Sequence, residues 1–195
     1  MADPGDDRSF SQSHVVLVGM MGVGKTTVGK RVAKLLERPF VDADAELVRR
    51  SGRAVADWFA TAGESGFRSA ESDVLADLLA RPEPLILAAG GGVVVEAGNR
   101  DRLQRPDAFV VWLRADPSFL AARVARKAHR PLIAADPVGT LTRLATERGA
   151  WYGEVADAVI DVAPVHAREE RPKWALAEQV SAAVLAHDAA GSVGR

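Results

Sequence analysis

Short apolar runs alternate with stretches of helical periodicity along most of this chain. His14–Gly19 (HVVLVG) is a valine-rich run closed by glycine and predicts a buried strand. From Lys25 to Leu36 the positions Val28, Val32, Leu35 and Leu36 share one helical face. Pro39–Val41 leads a second strand, closed by the acidic segment Asp42-Ala43-Asp44. Glu46–Arg50, Val55–Ala60 and Glu64–Leu79 predict helices punctuated by Gly52 and Gly63. Leu85–Ala89 predicts a third strand, followed by three glycines, and Phe109–Leu113 a fourth. Asp116-Pro117 opens a helix, with aspartate as cap and proline at the first helical position, that runs into the basic stretch Arg123–Arg130. Thr140–Tyr152 reads as helix and Ala158–Val162 as the fifth strand. Pro172 starts a last helix on which Trp174, Ala177, Val180 and Val184 recur at helical spacing.

Strands alternating with helices predict an α/β fold, a five-stranded parallel sheet with helices on both faces in a three-layer sandwich. The strands are continuous apolar runs, as buried parallel strands are. The expected organisation is a single domain over 13–187, preceded by a disordered polar leader at 1–12 and followed by a frayed tail at 188–195.

Composition narrows the function. The 195 residues are 48% hydrophobic and 26% charged, an ordinary globular balance. The net charge of −1 predicts neither a nucleic-acid nor an anionic-membrane partner, so any phosphate site must be local. The absence of cysteine excludes disulfides, thiolate metal sites and thiol catalysis, and fits a reducing, cytoplasmic setting. No apolar run reaches the ~18 residues of a membrane span, and the leader lacks the basic-then-apolar build of a signal peptide.

Gly19-Met20-Met21-Gly22-Val23-Gly24-Lys25-Thr26 matches the pattern G-x-x-x-x-G-K-[ST] between a strand and a helix, the context that motif requires. Such a loop turns its backbone N–H groups toward phosphate oxygens and adds the helix N-terminus. Lys25 is expected at the β- and γ-phosphates and the Thr26 hydroxyl at magnesium. The motif says nucleotide without separating kinase, ATPase and regulatory module. No N/T-K-x-D segment follows a late strand, which weakens a GTPase reading.

The other candidates are less specific alone. Asp42 and Asp44 follow the second strand, and an i, i+2 pair in extended chain points to one side, at the sheet edge where ligands bind. One carboxylate would serve the metal shell and the other accept a hydroxyl proton. The same pair also reads as an acidic helix start with Asp44 as N-cap. Arg68 and Glu71 lie three apart on a helix, equally consistent with a surface ion pair. Gly90-Gly91-Gly92 permits close approach of a ligand or makes a plain turn. Arg123, Arg126, Lys127 and Arg130 form either a closing cationic segment or a solvated face. Arg148 says nothing by itself. The histidines at 14, 166 and 187 read as ordinary surface or strand-end residues.

Taken together these features resemble the shikimate kinase family over about Val15 to Val162. The carriers are GMMGVGKTTVG, PFVDADAELVRRSGRAVADWF, GESGFRSAE, AAGGGVV, RPLI and ERGAWYGEVAD, in that order. The resemblance implies a P-loop NTPase fold with a helical acceptor-binding segment at about 44–75 and a lid at about 123–136. It implies ATP and shikimate as substrates, magnesium, no nucleic-acid or membrane partner, and a monomer. ATP would contact Gly22, Val23, Gly24, Lys25, Thr26 and Thr27, with Arg130 as lid arginine on the phosphates and Arg123 against adenine. Asp42 would support magnesium held by Thr26. Asp44 would bind the acceptor diol and take its proton. Arg68 and Arg148 would grip the carboxylate, Glu71 orient Arg68, Gly90, Gly91 and Gly92 offer backbone, and Phe59 and Phe67 wall the pocket.

The chain departs from the family pattern in three places. Trp58 stands where a smaller aliphatic residue is common and is expected to reshape the wall near Phe59. The segment 162–173 is longer and more charged than the usual adenine-side loop. His129 has no counterpart in the pattern. The implied reaction is transfer of the ATP γ-phosphoryl to the shikimate 3-hydroxyl, in aromatic amino acid biosynthesis. Two alternatives stay open: a related kinase for aminoshikimate, gluconate or a cyclitol, or a nucleotide-binding module without phosphotransfer.

Overall fold

The computed structural model describes residues 13–124 and 136–192. Arg126, Lys127, His129, Arg130 and most of the expected lid, with the leader, lie outside the described residues.

A five-stranded parallel sheet runs in the order β2-β3-β1-β4-β5. Its strands are β1 (His14–Val18), β2 (Phe40–Asp42), β3 (Ile86–Ala88), β4 (Ala108–Arg114) and β5 (Ala158–Asp161). β1 lies at the centre, pairing Val15–Leu17 with Ile86–Ala88 on one side and His14–Val18 with Ala108–Trp112 on the other. Val15 to Val18 are wholly buried, because a central parallel strand is covered on both faces. The helices are α1 (Lys25–Leu36), α2 (Ala43–Ser51), α3 (Val55–Leu79), α4 (Ala97–Leu103), α5 (Pro117–Val124), α6 (Pro137–Val155), α7 (Val162–Arg168) and α8 (Pro172–Ser192). The expected sheet and all five strand positions are present.

Four differences from the sequence reading have physical causes. First, the helix after β2 begins at Ala43, because the Asp42 side chain caps it by accepting from the Ala45 N–H at 3.2 Å. Asp42 is therefore the cap, Asp44 stands in the first helical turn, and the extended i, i+2 geometry does not hold. Second, α4 and α7 are short helices that their composition conceals. In α7 Pro164 is the third residue, where a missing N–H costs no helical bond. Third, α8 continues to Ser192, past the expected frayed boundary, and Asp188 lies 3.7 Å from Arg38. Fourth, α3 spans both expected helices, with Gly63 at φ 67° marking the kink between them.

This topology brings three turns to one edge. The glycine loop follows β1, Asp42 ends β2 with Asp44 just beyond it, and Gly90–Gly92 follows β3. Ligands of open parallel sheets sit at this carboxyl edge, where the strand order reverses.

Candidate active site

The loop after β1 is set by glycine. Gly19, Gly22 and Gly24 have φ of 135°, 82° and 111°, values that side-chain-bearing residues rarely adopt. A β carbon on Gly19 would also collide with the Leu113 carbonyl of β4, so the loop can lie this close to the sheet only with glycine there. No side chain caps the N-terminus of α1, so the first-turn N–H groups remain available to an anion. Val23 is buried, and its backbone N–H donates to the Met20 carbonyl at 3.3 Å. Lys25 Nζ donates to the carbonyls of Gly19 at 2.6 Å and Met20 at 3.3 Å, which holds the ammonium at the loop's mouth.

A cavity of about 950 Å³ opens above this loop. It brings together Gly22, Gly24, Lys25, Thr26, Thr27, Asp42, Asp44, Gly91 and Arg123 from the expected set. Its lining carries the cations Lys25, Arg31, Arg123, Arg171 and Lys173 against the carboxylates Asp42, Asp44 and Glu170. A chain of net charge −1 thus concentrates positive charge where a polyphosphate would lie.

Thr26 Oγ1 donates to Asp42 Oδ2 at 2.6 Å, while the other Asp42 oxygen caps α2. The result is a fixed pair of hard oxygen donors beside the phosphate loop. Among the described residues no three His, Cys, Asp or Glu side chains gather to cage a metal. Two oxygens beside a polyphosphate are the donor set for magnesium, which takes its remaining ligands from phosphate and water.

The Gly90–Gly92 turn joins the cavity to a second group of charges. A β carbon on Gly90 would strike Glu71 Oε1 and approach Asp44 Oδ1, and one on Gly92 would strike the Arg68 guanidinium. Arg148 donates to the Gly91 carbonyl at 3.0 Å. Asp44, Arg68, Glu71 and Arg148 therefore surround one turn, although only Asp44 and Gly91 line the cavity itself. Glu71, 3% exposed, accepts from Arg68 Nη1 at 2.6 Å, and the more exposed Glu64 lies 3.3 Å from Arg68 Nη2. This pair is buried, unlike the surface pair that its spacing alone permits. Burial pushes the Glu71 carboxyl above its usual range, with the Arg68 guanidinium pulling the other way. Arg68 Nε is buried without a partner among the described residues, so its bonding is incomplete. Phe59 and Phe67 lie 4.7 Å apart with their rings tilted by 30°, and Arg68 lies 5.2 Å over the Phe67 ring.

Trp58, the departure next to Phe59, is tied to its own helix junction. Its indole N–H donates to Ser51 Oγ at 3.2 Å and Arg53 lies over its ring, which fastens the end of α2 to the start of α3.

Three residues at the site escaped the sequence reading. Tyr152, the only tyrosine, is buried, donates to the Gly91 carbonyl and stacks on Trp112 at 5.6 Å. Burial raises its phenol to about 12. The signal available was its position four residues after Arg148, on the same helical face. His166, read as an ordinary surface residue, lines the cavity and meets Arg123. Trp174, read only as a core repeat, also lines the cavity, with Arg31 5.4 Å over its ring. By contrast, His14 is at a strand end as expected but buried, its Nδ1 accepting from the Leu85 N–H at 3.3 Å. His187 is exposed and lies against Phe109 at 4.5 Å.

Comparison with known proteins agrees with this geometry. The family model described as shikimate kinase matches residues 21–183. A shikimate kinase of Caulobacter vibrioides is 49% identical over 141 residues, 72% of this chain and 70% of its own length. One from Bordetella pertussis is 44% identical over 165 residues, 83% of this chain and 77% of its own. Among solved structures, shikimate kinase from Acinetobacter baumannii in complex with shikimate superposes with a TM-score of 0.81 at 35% identity, covering 91% of this chain and 96% of that one. A gluconokinase from Sinorhizobium meliloti, 21% identical with a TM-score of 0.55 over 91% of this chain and 98% of its own, shares the fold. With the phosphate loop, the acidic turn and the buried Arg68–Glu71 pair on one sheet edge, this chain belongs to the shikimate kinase family.

Proposed function

We propose that this protein transfers the γ-phosphoryl group of ATP to the 3-hydroxyl of shikimate, giving shikimate 3-phosphate and ADP, in aromatic amino acid biosynthesis. One observation carries the reading. Two guanidinium groups, Arg68 and Arg148, flank the Gly90–Gly92 turn beside the Asp44 carboxylate, next to the phosphate loop. An anionic cyclic alcohol fits that arrangement, its carboxylate on the arginine forks and its hydroxyl toward Asp44.

In the step itself, the shikimate 3-oxygen forms a bond to the γ-phosphorus as the bond to the β–γ bridging oxygen breaks. The hydroxyl proton passes to Asp44, and the electron pair of the broken bond leaves on ADP. Positioning and charge neutralisation supply most of the rate. The loop N–H groups hold the phosphates. Lys25 exchanges its contacts with the Gly19 and Met20 carbonyls for β- and γ-phosphate oxygens. Glu71 keeps Arg68 turned to the acceptor. Phe59 and Phe67 wall the ring, and Arg148 is anchored on the Gly91 carbonyl. Resemblance to the family gives Arg123 the adenine contact. Thr26 and Asp42 are the residues that would hold magnesium, whose charge would neutralise the β- and γ-oxygens. Resemblance to the family adds Arg130 and a lid over 123–136 that closes on the phosphates and excludes water.

The reading extends to a cytoplasmic monomer acting on small molecules. No described helix is long and apolar enough to cross a membrane.

Initial rates of ADP release test the substrate, with shikimate, aminoshikimate, gluconate and a carboxylate-free cyclitol as acceptors. Shikimate should give the highest kcat/KM, with the cyclitol at least about a hundredfold lower, because it leaves two arginines without their anion. Turnover led by gluconate or the cyclitol would refute the reading. ATP binding with no acceptor turnover would leave a nucleotide-binding module.

A further inference from the structure

Arg123 of α5 and His166 of α7 meet over the phosphate loop. Arg123 Nε donates to the Gly22 carbonyl at 3.2 Å, and its Nη1 lies 3.1 Å from His166 Nε2. A guanidinium stays protonated and has no lone pair to offer, so His166 Nε2 must accept and the imidazole is neutral with its proton on Nδ1. Phe119 closes the third side, 5.3 Å from the Arg123 guanidinium and 5.6 Å from the His166 ring. Carbonyl, imidazole and phenyl ring thus fix the plane of a side chain that is otherwise among the most mobile.

We propose that His166 is a positioning residue for the nucleotide: its neutral imidazole holds Arg123 over the phosphate loop before ATP arrives, and protonation of His166 releases it. The inference rests on reading the cavity as the ATP site. A guanidinium ordered in advance leaves less to order on binding, and so raises nucleotide affinity without touching the reacting atoms.

The surroundings make the contact sensitive to acid. Arg123 from α5 and Lys173 from α8 face the imidazole, and Glu170 and Arg171 line the same cavity. Burial, then these two cations, hold the His166 pKa below its ordinary value. As pH falls through that depressed value, the imidazole loses its acceptor and sets a second positive charge against Arg123. Nucleotide affinity should fall with it.

The test is calorimetric titration of the full chain with MgADP from about pH 5 to 8, the span over which histidines change charge. Wild type is compared with His166→Ala and His166→Gln, with melting curves to confirm folding. Glutamine can place an acceptor near the position of Nε2 but does not titrate. His166→Ala should weaken MgADP roughly three- to tenfold at pH 7.5, the cost of a hydrogen bond to a charged donor. His166→Gln should stay within about twofold and lose the acid-side weakening of wild type. In turnover the alanine variant should raise KM for ATP and leave kcat and KM for shikimate unchanged. In an Arg123→Ala background, His166→Ala should add nothing further. Wild-type affinity in the alanine variant, or an equal loss in glutamine and alanine variants, would overturn the proposal. MgADP binding needs no acceptor, so failure of this inference and failure of the shikimate reading are separately visible.

Discussion

Arg148 and Tyr152, one turn apart on α6, donate to the same acceptor, the carbonyl of Gly91. A carbonyl oxygen has two lone pairs, and here both are taken by one helix face. Gly91 belongs to the turn after β3, so α6 fixes the height at which the central glycine stands between phosphate loop and acceptor group. Arg148 is thereby oriented by a bond that does not consume its remaining donors.

Replacing Tyr152 by phenylalanine should destabilise the protein by about 1 kcal/mol, since Arg148 still satisfies Gly91 and the ring still stacks on Trp112. Thermal melting reads the loss. A turn held by one bond should also raise KM for shikimate more than KM for ATP.

The same residue gives a pH dependence. Tyr152 is the only tyrosine, and burial pushes its phenol up to about 12, above the ordinary 10.0. A group raised on folding contributes stability that is fully present below its unfolded pKa and is lost as pH climbs through the folded one. Stability should therefore fall between about 10 and about 12, and Tyr152→Phe should flatten that slope. Phenolate absorbance of the folded wild type should show little ionisation at pH 10.0, the ordinary midpoint.

Two glycine substitutions should fail in different ways. Gly19→Ala requires a β carbon against the backbone of β4 at a φ of 135°, and should lower the melting temperature and the yield of folded protein. Gly92→Ala meets only the end of the Arg68 side chain. It should fold, displace that guanidinium and raise KM for shikimate about tenfold or more while KM for ATP holds, as initial-rate kinetics would show. Equal loss of stability in both variants would contradict the distinction.

Asp44→Asn keeps the shape of the side chain and removes its basicity, so kcat should fall about 10²- to 10⁴-fold with MgADP affinity nearly unchanged. Lys25→Ala should instead reduce both turnover and nucleotide affinity. Arg68→Lys preserves charge but not the fork that Glu71 and a carboxylate can share, and should raise KM for shikimate about ten- to a hundredfold.

The features read most readily from the sequence were those written locally. A buried strand, the glycine loop and the Asp116-Pro117 helix start, realised as α5 from Pro117, each lie within a few residues. The acidic turn was misjudged in geometry because Asp42 ends β2 and caps α2 at once, a double use that its spacing does not reveal. Arg68–Glu71 had the spacing of a surface pair, and only the packing of α3 shows it buried. Tyr152 with Gly91 and Arg123 with His166 join positions 61 and 43 residues apart, so no local pattern announces them. The short helix α7 was hidden by its proline and charges, and with it the placement of His166 on the cavity.

The most direct measurement is a crystal structure of the chain with MgADP and shikimate. The account predicts the ring beside Gly90–Gly92, its carboxylate within hydrogen-bonding distance of both Arg68 and Arg148, and its 3-hydroxyl facing Asp44 and the end of the β-phosphate. A ring bound elsewhere, or two arginines turned away from its carboxylate while the nucleotide sits in the loop, would contradict it.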